Sequence, residues 1–381
     1  MNTIRFAAAL ICLAAASQVP AQGKEPLKVG ALLAVTGPAS FLGAPEARTL
    51  EMLVEELNRK GGVDGRKVEL VLKDTGGSPE RAISFAKQLV EEDRVFAIIG
   101  PATSGESIAV KAIAEESGTI LLSCAAAEVI TNPVLAHVFK VAPKDSYAAE
   151  MIFRRMNKMG VKRIGFLSSN TGFGKAGKEQ VEKVAPRYGI EIVVSDVYDK
   201  AATDLTAEVT KLKAANVQAI LNWSIEPAQA IVIKNARQIG MTVPIFQSHG
   251  FANVQYARTA GAAAEGVMFP ASRVVVADAL AATDRQKPVV AAYKQAYEAR
   301  YKEDVSTFGG HAWDALGILV RGVQEAGLDR AKVRAAIENM KGFVGTAGVF
   351  NFSPADHNGL AIDAFEMLTV KDGKFVVLGD R

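Results

Sequence analysis

Short apolar runs alternate with longer stretches of helical spacing along most of the chain. "LKVGALLA" at 27–34 predicts a buried strand. In the following "APEARTLEMLVEELNRKGG", Leu50, Leu53, Val54 and Leu57 share one helical face, and Gly61 and Gly62 end it. "KVELVLKD" predicts the next strand. "SPERAISFAKQLVEE" predicts the next helix, with Ser78 as N-cap and Pro79 at the first helical position. "VFAIIG", "SGESIAVKAIAEES" and "TILLSC" continue as strand, helix, strand. The same order returns in "KRIGFLSS", "GKAGKEQVEKVAPRYG", "IEIVVSDVYD", "DLTAEVTKLKAAN", "VQAILNW", "EPAQAIVIKNARQIG" and "VPIFQSHG". Strands alternating with such helices build parallel sheets from βαβ units. The expected fold is α/β, with two doubly wound parallel-sheet lobes. Beyond residue 272 come three helical stretches, a β-like "GVFNFSPADHNG" and two short strands, "AFEMLTV" and "KFVVLG". Such a tail completes both lobes of a chain that crosses between them several times, and no Gly/Ser/Pro-rich linker separates the halves.

The first residues fall outside this pattern. Arg5 precedes an apolar run from Phe6 to Ala16, and "VPA" places small or short residues before a cut after Ala21. This is the layout of a signal peptide over 1–21, and it predicts export to the periplasm. The run is too short to span a bilayer, and Cys12 within it is not placed as a lipoprotein cysteine would be. A mature chain of about 360 residues has room for two domains. It would keep one cysteine, Cys124, which cannot form an internal disulfide.

Composition narrows the function. The 44 Lys and Arg against 41 Asp and Glu are interspersed, with no basic, aromatic-rich patch of the kind that binds nucleic acid. His137, His249, His311 and His357 are not at metal-ligand spacing, so no metal or cofactor is expected.

One motif points elsewhere. Gly172, Gly174 and Gly177 have G-x-G-x-x-G spacing after a strand, and Asp196 follows about twenty residues on. Read alone, this is a dinucleotide fingerprint and would suggest a nicotinamide oxidoreductase. The equivalent turn of the first half, with Gly37 and Gly43, also feeds a helix. Glycine there serves the tight bend and close strand–helix packing in any such fold.

Ligands of open α/β sheets bind beyond the carboxyl ends of the strands. Those loops are Gly37–Leu42, Pro101–Ser104, Ser123–Ala127, Asn170–Phe173, Trp223–Glu226 (with Ile225) and Ser248–Phe251. Thr103 and Glu106 have capping-box spacing. Ser104 then falls in the first helical turn, where free N–H groups and the helix dipole favour an anion.

Taken together, "LKVGALLAVTGPASFLG", "LNRKGGVDGRKVELVLKD", "FAIIGPATSGES" and "GFGKAGKE" resemble the periplasmic solute-binding proteins of ABC importers, specifically the branched-chain amino acid-binding family. The likeness covers nearly the whole mature chain. It implies a non-catalytic type I periplasmic binding fold: two lobes, three crossovers, and a cleft that closes on its ligand. The closed form would dock, as a monomer, on a membrane permease. On this reading lobe one is 27–144 plus 273–345, and lobe two is 145–272 plus 346–381.

The resemblance implies that Ser104 holds the ligand carboxylate, that backbone at Ala125 contacts the ligand, and that Phe173 closes over it. Two positions depart from the family. Ala127 stands where a hydroxyl is expected, and His249 where a carboxylate pairs with the α-ammonium. A buried charge needs a partner, so the ligand expected is a small carboxylate without an α-amino group, such as an aromatic acid that Trp223 and Tyr147 could flank. The alternatives are an amino acid binder using Glu226 or Asp145 for the ammonium, a nicotinamide oxidoreductase on the glycine loop, and a sensor module signalling to a membrane partner.

Overall fold

A computed structural model of the chain describes residues 24–379. The signal-peptide reading falls on residues outside this range. Lobe one begins with β1 (Leu27–Leu33), α1 (Ser40–Arg59), β2 (Val68–Asp74), α2 (Pro79–Lys87), β3 (Ala97–Ile99), α3 (Ser104–Ser117), β4 (Ile120–Ser123) and β5 (Val138–Lys140). These strands form a parallel sheet in the order β2-β1-β3-β4-β5.

Lobe two follows with α4 (Asp145–Lys158), β6 (Arg163–Ser169), α5 (Gly172–Val184), β7 (Glu191–Tyr198), α6 (Thr206–Ala214), β8 (Ala219–Trp223), α7 (Ala228–Gln238), β9 (Ile245–Gln247), α8 (Val254–Ala260) and β10 (Met268–Ala271). Its order β7-β6-β8-β9-β10 repeats that of lobe one. The chain then returns to lobe one through α9 (Lys287–Tyr301), α10 (Thr307–Ala326), α11 (Arg330–Glu338) and the hairpin β11 (Lys341–Val344)–β12 (Val349–Asn351). Finally β13 (Glu366–Lys371) and β14 (Lys374–Val377) extend the second sheet antiparallel beyond β10.

Three stretches therefore cross between lobes. Two of them are tied together. Asn358 Nδ2 donates to the Lys140 and Ala142 carbonyls at 3.2 and 2.9 Å, and Lys140 N donates to the His357 carbonyl at 3.0 Å. The lobe boundary expected at 345/346 falls inside the β11–β12 hairpin. Phe352, just past β12, packs its edge on Phe139 of β5 with ring centroids 5.8 Å apart. The chain thus stays with lobe one until about Leu360.

Helix α1 also departs from expectation: it starts at Ser40 and contains Pro45. Proline has no N–H for the carbonyl four residues back. That carbonyl, Phe41 O, instead accepts from Asn253 Nδ2 of lobe two at 3.0 Å. The lobes also meet where α3 and α5 face each other. A Cβ added to Gly172 would come within 2.6 Å of the Gly105 Cα. This is a closed arrangement of the cleft.

Candidate functional site

Between the lobes lies a narrow cavity. Strand ends and helix starts build its wall. Lobe one contributes Leu42, Ser104, Cys124–Ala126 and, from α10, Thr307, Phe308 and His311. Lobe two contributes Phe173, Ile225, His249 and Gly250, while Ala142, Pro143, Ala271, Ser272 and Phe365 come from or beside the crossovers.

Ser104 owes its place to the cap before it. The Thr103 hydroxyl donates to Glu106 Oε2 at 2.6 Å, and the same oxygen accepts from Thr103 N at 3.2 Å. This box fixes the first turn of α3 and points Ser104 into the cavity, 1% exposed. Ser104 Oγ accepts from Ala127 N at 3.2 Å, so its own O–H remains to donate. Ser107 N is bonded to the Thr103 carbonyl at 3.0 Å, and the N–H groups of Ser104 and Gly105 precede it with no acceptor inside the helix. Hydroxyl and amides together form an anion-favouring corner.

His249 opens the turn after β9, held there by the bond from Gly250 N to Ser248 Oγ at 3.2 Å. The rings of Phe173, Trp223 and Phe365 surround it at 5.4, 5.7 and 5.4 Å, all edge to face. Burial holds its basicity down to about 3, with the Lys140 charge adding to the effect, so the imidazole is neutral. Its Nε2 lies 3.4 Å from Asp145 Oδ1 but outside hydrogen-bond geometry. His311 is held down to about 3 by the same burial.

Behind this wall sits a buried charge pair. Lys140 Nζ donates to the carbonyls of Ala126, Ala142 and Pro143 at 2.9, 2.8 and 3.4 Å. All three carbonyls belong to residues lining the cavity, so the ammonium lies one layer back. Burial pushes the Lys140 ammonium down and the Asp145 carboxyl up, and their mutual attraction opposes both shifts.

Of the residues singled out from sequence, the structure gathers Ser104, Ala125, Phe173, His249, Leu42 and Ile225 on this one cavity. Four others lie off it. Trp223 stands behind Phe173, with centroids 5.9 Å apart and no exposure, because its indole fills the space against Gly177. Tyr147 lies under the Lys144 ammonium, 5.5 Å from its ring centre. Thr103 is spent on the helix cap and borders a neighbouring hollow. Ala127 supports Ser104 through its N–H. Glu226, an alternative ammonium partner, accepts from the Ser224 hydroxyl and from Ile225 N and lines the outer hollow instead. Nothing in the sequence marks His311 and Phe308 for the site, because they sit inside a helix rather than a strand-end loop.

The glycine spacing is explained by packing. A Cβ at Gly174 would meet the Ser169 carbonyl oxygen at 2.0 Å, and one at Gly177 the Trp223 Nε1 at 2.0 Å. Gly172 is the point where α5 meets α3. Asp196 pairs with Lys211 at 2.5 Å. Among the described residues no cluster of His, Cys, Asp and Glu could hold a metal, and no helix is long and apolar enough to cross a membrane.

Comparison with known proteins adds the following. Residues 26–374 match the family described as periplasmic binding protein. The Leu/Ile/Val-binding protein homolog 3 of Brucella melitensis is 25% identical over 358 residues, covering 92% of this chain and 93% of that protein. An extracellular ligand-binding receptor from Rhodopseudomonas palustris HaA2 superposes with a TM-score of 0.87 at 26% identity, over 93% of this chain and 99% of that one. A solute binding protein of an ABC transporter from R. palustris, in complex with benzoate, superposes with a TM-score of 0.82 at 23% identity, over 93% and 96% of the two chains.

Proposed function

Because the chain belongs to the periplasmic binding protein family, we propose that it is the exported solute receptor of an ABC importer, and that its ligand is a small carboxylate without an α-amino group, such as an aromatic acid. It delivers that ligand, as a monomer, to a membrane permease. The observation that carries the ligand class is the charge of the cavity wall: among the described residues no Asp or Glu lines it. An α-ammonium shut in there would lack a partner, which is costly for a buried charge. The carboxylate has Ser104 and the first turn of α3. Phe173, Ile225, Phe308 and Phe365 suit the remainder as apolar or aromatic.

The fold alone does not choose the ligand. The Brucella relative is named for leucine, isoleucine and valine, and the R. palustris neighbour holds benzoate. Calorimetry decides the matter. Benzoate-type acids are expected to bind with micromolar affinity, about −8 kcal/mol, and leucine to give no heat. Tight leucine binding with none for the acids would refute the proposal. Ser104→Ala removes a hydrogen bond to a charged group, worth about 1.5–3 kcal/mol, so acid affinity is expected to fall at least tenfold.

A further inference from the structure

The cavity has two unlike ends. Ser104, Phe173 and Ile225 lie toward the outer hollow, which Phe173 and Ile225 also border, as do Thr103 and Gly105 on either side of Ser104. Pro143, Ser272 and Phe365 lie toward the crossovers. His249 reaches this inner side, with Phe365 and Phe173 each 5.4 Å from its ring and its Nε2 3.4 Å from Asp145, the first residue of α4. His311 comes from the opposite lobe and lies against the Cys124 backbone. Both imidazoles line this one cavity, and the Lys140 charge helps to keep each of them neutral. Yet among the described residues none of their four ring nitrogens meets a partner in full hydrogen-bond geometry, and beside His311 only the Cys124 backbone offers one. His249 is 7% and His311 4% exposed, and both line the cavity. Lys140 cannot serve them, since its ammonium is bonded to three carbonyls.

We propose that His249 and His311, one from each lobe, form a paired polar end to the cavity that selects a carboxylate bearing a hydroxyl at the end opposite its carboxyl group. This rests on the acid-binding reading above. A neutral imidazole offers one N–H and one bare nitrogen. A hydroxyl can donate to the bare nitrogen of one ring and accept the N–H of the other. It is the small group that answers two neutral imidazoles at once; a second carboxylate offers acceptors only, and a ring C–H offers neither. When the cleft shuts on a ligand that ends in C–H, water is expelled from these nitrogens and not replaced, which weakens binding. Sites built to bond a substrate hydroxyl reject the analogue that lacks it for this reason.

The test measures dissociation constants for 4-hydroxybenzoate, 2-hydroxybenzoate and benzoate on the wild-type protein and on His311→Phe. The wild type is expected to bind the 4-hydroxy acid at least tenfold more tightly than benzoate. The 2-hydroxy acid, with its hydroxyl beside the carboxyl group, is expected to bind like benzoate. His311→Phe should bring 4-hydroxybenzoate and benzoate to within threefold of each other, mainly by weakening the hydroxy acid. Equal wild-type affinities for 4-hydroxybenzoate and benzoate overturn the proposal, as does a variant that weakens both by the same factor. Those results leave the acid-binding reading standing; binding of leucine with none of the acids overturns both. The wild-type ratio needs no variant, so misfolding of His311→Phe cannot conceal the outcome.

Discussion

The buried imidazoles of His249 and His311 tie stability to pH, and the direction follows from where the proton sits. His311 is held down to about 3 in the fold by burial, against about 6.5 in an unfolded chain. Its contribution is present in full above about pH 6.5 and is lost as pH falls toward the folded value, because the unfolded chain binds the extra proton. Asp314, pushed up to about 7 by burial, acts the other way: its contribution is present in full below about pH 4 and is lost as pH rises from there to the folded value. Comparing the wild type with His311→Gln cancels the Asp314 contribution. As pH falls from 7 to 5, the wild type should lose stability relative to the variant by up to about 1.4 kcal/mol per pH unit. Thermal melts check this, and a gap that does not change with pH would contradict it. Ser104 was legible in the sequence because a capping box announces a helix start. His311 was not, because within "FGGHAWDALGILV" it reads as one more position of an apolar helix.

The start of α5 shows how one element carries several constraints. Gly174 lets the helix lie on β6, and Gly177 makes room for the Trp223 indole. Gly177→Ala would press a methyl group into that indole, and overpacking of this kind costs about 1–3 kcal/mol. A lower melting temperature is expected, with ligand selectivity retained; an unchanged melting temperature would show that the indole can move aside. The repeated strand–helix order was plain in the sequence because its apolar runs are short and sharply bounded. β5 and β10 were not, since three or four residues give no periodicity to count. In α4 the buried positions Ala148, Ala149, Ile152, Phe153 and Met156 do have helical spacing, so this element is written in the sequence as plainly as its neighbours. The helical spacing read from sequence begins at Ala44, whereas the residues from Ser40 onward are helical too.

At the scale of the whole molecule, the proposed function depends on two lobes sharing one cavity. Gly105 and Gly172 let the helix starts meet, so Gly172→Leu should hold the lobes apart. In small-angle scattering, the wild type with 4-hydroxybenzoate is expected to be more compact than the ligand-bound variant, and the variant's affinity to be at least tenfold lower at an unchanged ligand-free melting temperature. Equal compaction would show that the helices can slide past the added side chain. Two lobes and repeated crossings were readable from the doubled pattern. The third crossing point was not, because the β11–β12 hairpin looks from sequence like part of the tail that follows it.

Pro45 gives this closure a selective fastening. A residue with an amide hydrogen there would occupy the Phe41 oxygen inside α1 at every stage of the cycle. Proline leaves that oxygen to the solvent while the halves are apart and to the Asn253 amide once they join. The latch is therefore made by an omission in the helix, and it engages only when the molecule has shut.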